Sequence, residues 1–204
     1  MFRCKTVILA LLLVGTMLSF STQASAETKA TAVFAGGCFW CMQPAFDKVP
    51  GVLDTVVGYT GGTTANPTYE QVGTGTTGHF EAIKVEYDPE KVTYKTLLDV
   101  FWHNIDPFDT KGQFCDVGST YRSAIFYENP SQKELAIASK KEVEQRFKQS
   151  AATKILKANQ FWAAEDYHQD YYTKNPVRYK FYRYRCGRDA RLKDVWGSEY
   201  QHSK

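Results

Sequence analysis

Apolar and polar residues alternate most clearly at residues 81–87, where a period of two predicts a β-strand. Glu81, Ile83, Val85 and Tyr87 share one face of this strand, and the face is apolar apart from Glu81. A carboxylate at the end of an otherwise buried face is costly to ionise, so we expect a raised pKa for Glu81. The alternative is a carboxylate that lies in water at the mouth of the strand.

A helical period follows the turn at Asp88 and Pro89. Thr93 is placed to cap a helix whose apolar residues recur at i, i+3, i+4, i+7 and i+8. These residues are Tyr94, Leu97, Leu98, Phe101 and Trp102. A stripe of this kind is typical of a core helix rather than of a cofactor site.

Shorter patterns predict the remaining elements. Strands are expected at residues 31–34, 52–58 and 121–127, and helices at 39–48 and 131–147. In the last helix, Ser131 and Glu134 form a candidate capping box, and Ala136, Val143 and Phe147 are expected to face inward.

The order of these elements predicts the fold class. Helices and strands alternate irregularly, without a steady βαβ rhythm, which favours a compact α+β domain. Residues 173–204 show little periodicity and are expected to wrap this domain as coil. Residues 160–172 hold Glu165, Asp166, His168 and Asp170, a set more typical of a hydrogen-bonded or solvated face than of a metal site.

The N-terminal residues predict export. Arg3 and Lys5 precede an apolar stretch at residues 7–20 that is short for a membrane span, and Ala24-Ser25-Ala26 gives a small-residue cleavage signal. Residues 1–26 are therefore predicted to be a secretory signal peptide, and residues 27–204 a single exported domain, periplasmic or secreted. No later stretch is apolar enough to span a membrane, so no membrane contact is expected after cleavage.

Net charge excludes some partners of the exported domain. Removing Arg3 and Lys5 lowers the basic residues from 25 to 23 against 22 acidic ones, a net charge of +1. This balance gives no electrostatic reason to bind nucleic acid or an anionic membrane.

The residues Gly36-Gly37-Cys38-Phe39-Trp40-Cys41 are the strongest candidate for chemistry. They join a predicted strand to a predicted helix, where free backbone amides and the helix dipole favour a thiolate at Cys38. Paired glycines permit a tight turn, two aromatic residues can wall a small apolar group, and Cys41 lies one helical turn away. This pattern predicts thiol redox chemistry.

Other interpretations of the cysteines remain open at this point. Cysteine is often a small buried hydrophobic residue, and the adjoining aromatic residues could be ordinary core. Four cysteines remain after cleavage, Cys38, Cys41, Cys115 and Cys186, which permits two structural disulfides. A zinc site is less favoured, because one C-x-x-C pair supplies only two of four ligands.

The chain resembles the peptide methionine sulfoxide reductases of the A type, over essentially the whole exported domain. The similarity lies in Gly36-Gly37-Cys38-Phe39-Trp40, Gly78-His79-Phe80-Glu81-Ala82 and Gly118-Ser119-Thr120-Tyr121-Arg122-Ser123. It extends to Gly58-Tyr59-Thr60-Gly61-Gly62, Pro67-Thr68-Tyr69, Ala164-Glu165-Asp166-Tyr167-His168-Gln169, Gly187-Arg188-Asp189 and Trp196-Gly197. The resemblance implies a ferredoxin-like α+β core with a mixed sheet, and reduction of the S epimer of methionine sulfoxide, free or in proteins.

The resemblance also implies roles for individual residues. Cys38 matches the nucleophile that becomes a sulfenic acid, and Phe39 and Trp40 match the wall around the methyl group of the substrate. Glu81 matches the acid that protonates the sulfoxide oxygen. Tyr69, Tyr121 and Asp116 match polar residues of the same pocket, in which the two phenols hydrogen-bond this oxygen.

The recycling step is where this chain departs from its relatives. Many of them have glycine in place of Cys41 and take their resolving cysteine from the C-terminal tail. Here both Cys41 and Cys186 are candidates, and proximity favours Cys41 as the first to react. The role of Cys115 stays open.

The resemblance implies partners as well. A thioredoxin-like dithiol, or dithiothreitol in its place, would supply electrons to a monomer, without a metal or an organic cofactor, because sulfur itself changes oxidation state. The alternatives are an exported thioredoxin-like disulfide oxidoreductase and a binding domain without catalysis. The first does not explain Glu81, Tyr69 and Tyr121, and the second does not explain a glycine-framed cysteine.

Overall fold

The computed structural model of the protein describes Met1 and residues 28–200. Apart from Met1, the predicted signal peptide at residues 1–26 lies outside the described residues, and so does its cleavage site. Within the described ranges, no helix combines the length and the apolar composition that crossing a bilayer requires.

The domain contains a six-stranded sheet, a two-stranded hairpin and seven α-helices among its described residues. The strands are β1 (Ala30–Gly36), β2 (Val52–Thr60), β3 (Phe80–Tyr87), β4 (Gly112–Gln113), β5 (Asp116–Val117), β6 (Ser123–Tyr127), β7 (Lys154–Lys157) and β8 (Trp162–Ala163). The helices are α1 (Phe39–Asp47), α2 (Tyr69–Gly73), α3 (Tyr94–Trp102), α4 (Pro130–Phe147), α5 (Tyr171–Lys174), α6 (Pro176–Arg185) and α7 (Arg188–Trp196).

The sheet has the strand order β7-β6-β1-β3-β2-β8. Its neighbours pair antiparallel, except for the parallel pair of β6 and β7. The central strands and two helices follow each other as β1-α1-β2-β3-α3-β6, which is the ferredoxin-like β-α-β-β-α-β arrangement. The predicted α+β fold with a ferredoxin-like mixed-sheet core is confirmed.

Helices α1 and α3 cover one face of this sheet. Phe34 on β1 stacks on Phe46 of α1 and on Phe101 of α3, with ring centroids 5.2 Å apart in both pairs. The predicted inward face of β3 belongs to this core, since Ile83 and Val85 are fully buried. Burial of such apolar area is the main favourable contribution to folding.

The opposite face of the sheet is also covered near the start of β3. Phe80 and Ala82 are buried there in a second, smaller cluster, with Phe161 and Leu156 packed against it. The first half of β3 is therefore enclosed on both faces, and Glu81 is only 2% exposed. The alternative of a solvated strand-end carboxylate is excluded.

Helix α4 begins before the predicted capping box. Asn129 caps it, accepting a hydrogen bond from the Gln132 amide at 2.9 Å, and Pro130 occupies the first turn. Proline suits this position because the first amides of a helix lack partners inside the helix. The prediction of Ser131 as the cap was therefore wrong, while the inward positions Ala136 and Val143 are confirmed as buried.

The largest correction concerns the C-terminal region, which was expected to be coil. Residues 171–196 form α5, α6 and α7 instead. Helix α6 buries Tyr179 and Arg183. Both side chains end in polar groups, so the inward face of the helix leaves no apolar period in the sequence. Gly187, at a φ of 68°, then turns the chain into α7.

Candidate active site

Cys38 lies between the end of β1 and the first residue of α1, as the sequence predicted. The turn requires both preceding glycines. Gly37 has a φ of 81°, which favours glycine, and a Cβ at Gly36 would lie 2.5 Å from the sulfur of Met42. The turn presents the Cys38 side chain at the N-terminus of α1.

Cys38 and Cys41 are in direct contact, and both are free thiols. The Cys38 thiol donates a hydrogen bond to the sulfur of Cys41, and the Cys41 amide donates to the Cys38 carbonyl at 3.0 Å. Cys38 is 6% exposed and Cys41 only 1%. The two sulfurs are therefore within reach of each other in a nearly closed site.

The electrostatics of this pair correct the prediction of a thiolate at Cys38. Burial raises the pKa of the Cys38 thiol well above its ordinary value, and the hydrogen bond to Cys41 and the charge of Glu81 raise it further. The same hydrogen bond lowers the pKa of Cys41 to about 7, and the charges of Arg188 and Arg183 also lower it. Burial of Cys41 opposes this shift. These opposite directions favour ionisation of Cys41 before Cys38.

Glu81 has the raised pKa that its place on β3 predicted. Burial raises its pKa to about 8, although a hydrogen bond from the Phe39 amide at 3.0 Å opposes the shift. This amide is the first of α1. Because it donates to Glu81, it is not available to stabilise a Cys38 thiolate as expected. Near neutral pH the carboxyl is largely protonated and can donate a proton.

Cys38 and Glu81 share one small cavity of about 70 Å³. Its walls are predominantly aromatic, and three phenols, two carboxyls and a thiol belong to its lining side chains. The lining residues are Cys38, Phe39, Trp40, Tyr69, Glu81, Asp116, Tyr121 and Tyr182. The structure therefore brings together all the predicted site residues except Cys41, which lies behind Cys38, and Cys186.

Two phenols on separate elements meet in this cavity. Tyr69 begins α2, where Thr68 caps the helix and the Tyr69 amide donates to Glu165 at 2.9 Å. Tyr121 ends a short 3₁₀ turn before β6 and shares a hydrogen bond with Tyr69. Burial raises the pKa of Tyr69 to about 12 and also raises that of Tyr121, so both remain hydrogen-bond donors.

His168 positions the aromatic wall of the cavity. Its Nδ1 accepts a hydrogen bond from the Trp40 indole at 3.0 Å, and its ring lies 5.0 Å from that of Phe39. On the other side, Trp40 stacks on Tyr171 with ring centroids 3.7 Å apart. Burial lowers the pKa of His168, so it is a neutral hydrogen-bonding partner, in agreement with the interpretation of its segment as a hydrogen-bonded face.

Tyr182 lines the cavity but was not predicted from the sequence. It lies on α6 and donates a hydrogen bond of 2.5 Å to Asp116, which the hairpin of β4 and β5 presents from the opposite side. Burial raises the pKa of Asp116. The sequence of α6 is rich in tyrosine but has no apolar period, so it does not indicate which side chains face inward.

The two remaining cysteines are bonded to each other. Cys115 and Cys186 form a disulfide that ties the hairpin to the junction of α6 and α7. Their sulfurs and the Asp116 carboxylate lie within 4.8 Å of one another, but the sulfurs are bonded rather than free to bind a metal. A resolving role for Cys186 would first require this bond to open.

The comparisons with known proteins find relatives over most of the chain. The family model described as peptide methionine sulfoxide reductase matches residues 30–200. The protein named peptide methionine sulfoxide reductase MsrA in Bacillus subtilis is 51% identical over 175 residues, covering 85% of this chain and 99% of the relative. Its namesake in Bacillus licheniformis is 50% identical over 177 residues, with 86% and 98% covered.

Solved structures show the same fold. Methionine sulfoxide reductase A of Corynebacterium diphtheriae has a TM-score of 0.68 at 34% identity, covering 75% of this chain and 78% of that one. The reduced form of Mxr1 from Saccharomyces cerevisiae has a TM-score of 0.70 at 30% identity, covering 73% and 87%. The family match over residues 30–200 and these relatives show that this chain belongs to the A-type peptide methionine sulfoxide reductases, a family of oxidoreductases.

Proposed function

We propose that the protein reduces the S epimer of methionine sulfoxide, free or in oxidised proteins, to methionine. The observation that carries this proposal is the shared cavity of Cys38 and a protonated Glu81. A nucleophilic sulfur and a proton donor are the two groups that removal of oxygen from a sulfoxide requires. The choice of the S epimer rests on the A-type family.

The first step transfers oxygen to Cys38. The Cys38 proton passes along the hydrogen bond to the Cys41 thiolate, and the Cys38 sulfur attacks the sulfoxide sulfur. Glu81 protonates the sulfoxide oxygen, while Tyr69 and Tyr121 hydrogen-bond it. Methionine leaves, and the products are a Cys38 sulfenic acid, a Cys41 thiol and a Glu81 carboxylate.

The second step forms a disulfide. The Cys41 sulfur attacks the Cys38 sulfenic acid, the S–O bond breaks, and water leaves with the oxygen and two protons. The contact between Cys38 and Cys41 favours this partner over Cys186, whose sulfur is bonded to Cys115. We expect Cys186 to enter the sequence only after that bond is reduced.

The third step restores the resting state. A thioredoxin-like dithiol reduces the Cys38–Cys41 disulfide and becomes a disulfide itself, and its two protons return to Cys38 and Glu81. The electrons come from sulfur throughout, so the proposed sequence uses neither a metal nor an organic cofactor.

Export is the second part of the proposal. Residues 1–26 have the composition of a signal peptide, and the family match begins only at residue 30. We expect the domain to act outside the cytoplasm. Sequencing the N-terminus of the exported protein should give Glu27, whereas an intact Met1 in the cytoplasmic fraction would contradict export.

Release of methionine from purified epimers tests the activity. With dithiothreitol as reductant, the S-sulfoxide should yield methionine and the R-sulfoxide little or none. Equal rates for both epimers would contradict the specificity, and no methionine from either would contradict the activity. The double variant Cys115→Ser/Cys186→Ser is a suitable control, since it leaves the thiols of Cys38 and Cys41 in place.

A further inference from the structure

Arg188 is a buried cation that the proposed reaction has not used. It is the first residue of α7, and its side chain is 1% exposed. Its Nη2 donates to the carbonyl oxygens of Asn104 at 2.6 Å and Gly36 at 3.1 Å, and also contacts the sulfur of Met42 at 3.1 Å. The guanidinium therefore lies behind the turn that carries Cys38, against the residue that follows Cys41.

No carboxylate neutralises this charge by direct contact among the residues that the structure describes. Two other arginines of α6 and α7 differ: Arg183 pairs with Asp189 at 2.6 Å, and Arg191 with Asp106 at 2.7 Å. The guanidinium of Arg188 instead lies over the ring of Phe114, 4.4 Å from its centroid, and its buried Nε has no hydrogen-bond partner. A buried cation is costly unless an anion compensates it.

The group best placed to compensate this charge by ionising is the Cys41 thiol, in the pair that it forms with Cys38. The charge of Arg188 acts on Cys41 and lowers its pKa, together with the hydrogen bond from Cys38 and the charge of Arg183. Asp116 also feels this charge, but Tyr182 already donates to its carboxyl. The ionisable groups that face Cys41 from all packed elements are Cys38, Glu81, Asp116, Tyr182, Arg183 and Arg188.

We propose that Arg188 is a positioning residue that stabilises the Cys41 thiolate and thereby makes the Cys38–Cys41 disulfide easier to reduce. This inference rests on the proposed function, because it requires that disulfide to form. Cys38 is the more exposed of the two sulfurs, so the donor thiolate attacks Cys38 and a mixed disulfide forms there. The Cys38–Cys41 bond breaks, and its electron pair leaves with Cys41 as a thiolate.

The physical reason is that a stabilised leaving thiolate favours the reduced state. A dithiol whose reduced form is stabilised makes a more oxidising disulfide, and a lower pKa of the leaving thiol speeds its departure.

Arg188→Gln tests this inference, with Arg191→Gln on the same helix as the matched control. The pH titration of thiolate ultraviolet absorbance in the reduced protein should move upward by about one unit or more in Arg188→Gln. At a pH above the thiolate titrations of both proteins, the equilibrium with dithiothreitol should move about tenfold towards the Cys38–Cys41 disulfide for each such unit. Arg191→Gln, whose side chain is half-exposed, should leave both measurements unchanged.

Arg188→Lys separates charge from shape and guards against a glutamine variant that does not fold. It should keep the thiolate titration within a few tenths of a unit of wild type. A folded Arg188→Lys that has lost the low-pH thiolate would overturn the inference, as would an Arg188→Gln that matches wild type in both measurements. If peptide mapping of the oxidised wild type finds no Cys38–Cys41 disulfide, the proposed recycling step fails instead.

Discussion

Cys38 and Cys41 lie within one turn of α1, carry free thiols and are buried, whereas Cys115 and Cys186 lie 71 residues apart, are bonded, and meet at the surface. A disulfide between neighbouring turns closes a very short loop and removes little entropy from the unfolded chain. A disulfide between cysteines 71 residues apart removes much more entropy from the unfolded chain. The two pairs therefore suit different tasks: the local pair can be made and broken in each cycle, and the distant pair holds two segments together.

The distant pair nevertheless affects the active site indirectly. It joins the hairpin that carries Asp116 to the helix that carries Tyr182, and these two side chains close the cavity through their hydrogen bond. The comparison thus separates a chemical pair from a structural one within the same site. Four variants test that separation.

Cys38→Ser should have the largest effect and abolish methionine formation. A serine hydroxyl is not appreciably ionised near neutral pH, and it cannot form a stable disulfide with Cys41. The measurement is methionine release from the S-sulfoxide, with folding checked by circular dichroism. Measurable turnover with Cys41 still present would assign the nucleophile to the other member of the pair.

Glu81→Gln should slow the first step by about 10²–10⁴-fold, because it removes the general acid but keeps the shape of the cavity. In the wild type, the rate of this step should fall as pH rises through about 8, the pKa to which burial raises the carboxyl. The variant should lack that fall. A rate near wild type at pH 7 would show that Glu81 has no role in proton transfer.

The raised pKa of Glu81 also makes the stability of the folded protein depend on pH. Because the pKa of Glu81 is raised on folding, the protonated carboxyl favours the folded state. Its contribution to the free energy of unfolding is fully present below about pH 4.5 and is lost as pH rises towards 8. Glu81→Gln should remove this part of the pH dependence, which thermal unfolding across pH 4–9 can measure.

Cys41→Ser should retain one methionine per enzyme and lose most of the repeated turnover with a thioredoxin-like donor. The Cys38 sulfur can still take the oxygen, although more slowly without Cys41 to accept its proton, but the sulfenic acid then has no neighbouring thiol to attack it. Burst and steady-state kinetics measure the two phases separately. Full steady-state activity in this variant would show that Cys41 is not required for recycling.

Cys115→Ser/Cys186→Ser should have the smallest effect on chemistry and a clear effect on stability. Loss of a disulfide with a long loop typically costs about 2–4 kcal/mol of the free energy of unfolding. Denaturant unfolding should show this loss, and turnover with dithiothreitol should stay within a few-fold of wild type. A collapse of turnover without loss of stability would make the distant pair part of the chemical cycle.

The sequence predicted the sheet core, Glu81 and Cys38 because these depend on local patterns, whereas Tyr69, Tyr121 and Asp116 were implied only by the family resemblance. The period of two in β3 located Glu81, and the glycine turn before α1 located Cys38. The C-terminal helices were not predicted, because α6 buries Tyr179 and Arg183 rather than an apolar stripe. Tyr182, on the same helix, was not predicted as a site residue for the same reason.

The charge state of the dithiol could not be read from the sequence either. A cysteine at a helix N-terminus is ordinarily favoured as the thiolate. Here the Phe39 amide donates to Glu81 and burial raises the pKa of Cys38, so Cys41 is favoured over Cys38 as the group that ionises first. These opposing effects depend on long-range contacts that only the folded structure supplies.

Peptide mapping of the enzyme after a single turnover tests the central claim most directly. The protein is reacted with one equivalent of the S-sulfoxide without a reductant, its remaining thiols are alkylated, and its disulfides are mapped by mass spectrometry. The account predicts that Cys38 is joined to Cys41 and that Cys115 remains joined to Cys186. Cys38 joined to Cys186, with Cys41 alkylated, would contradict it.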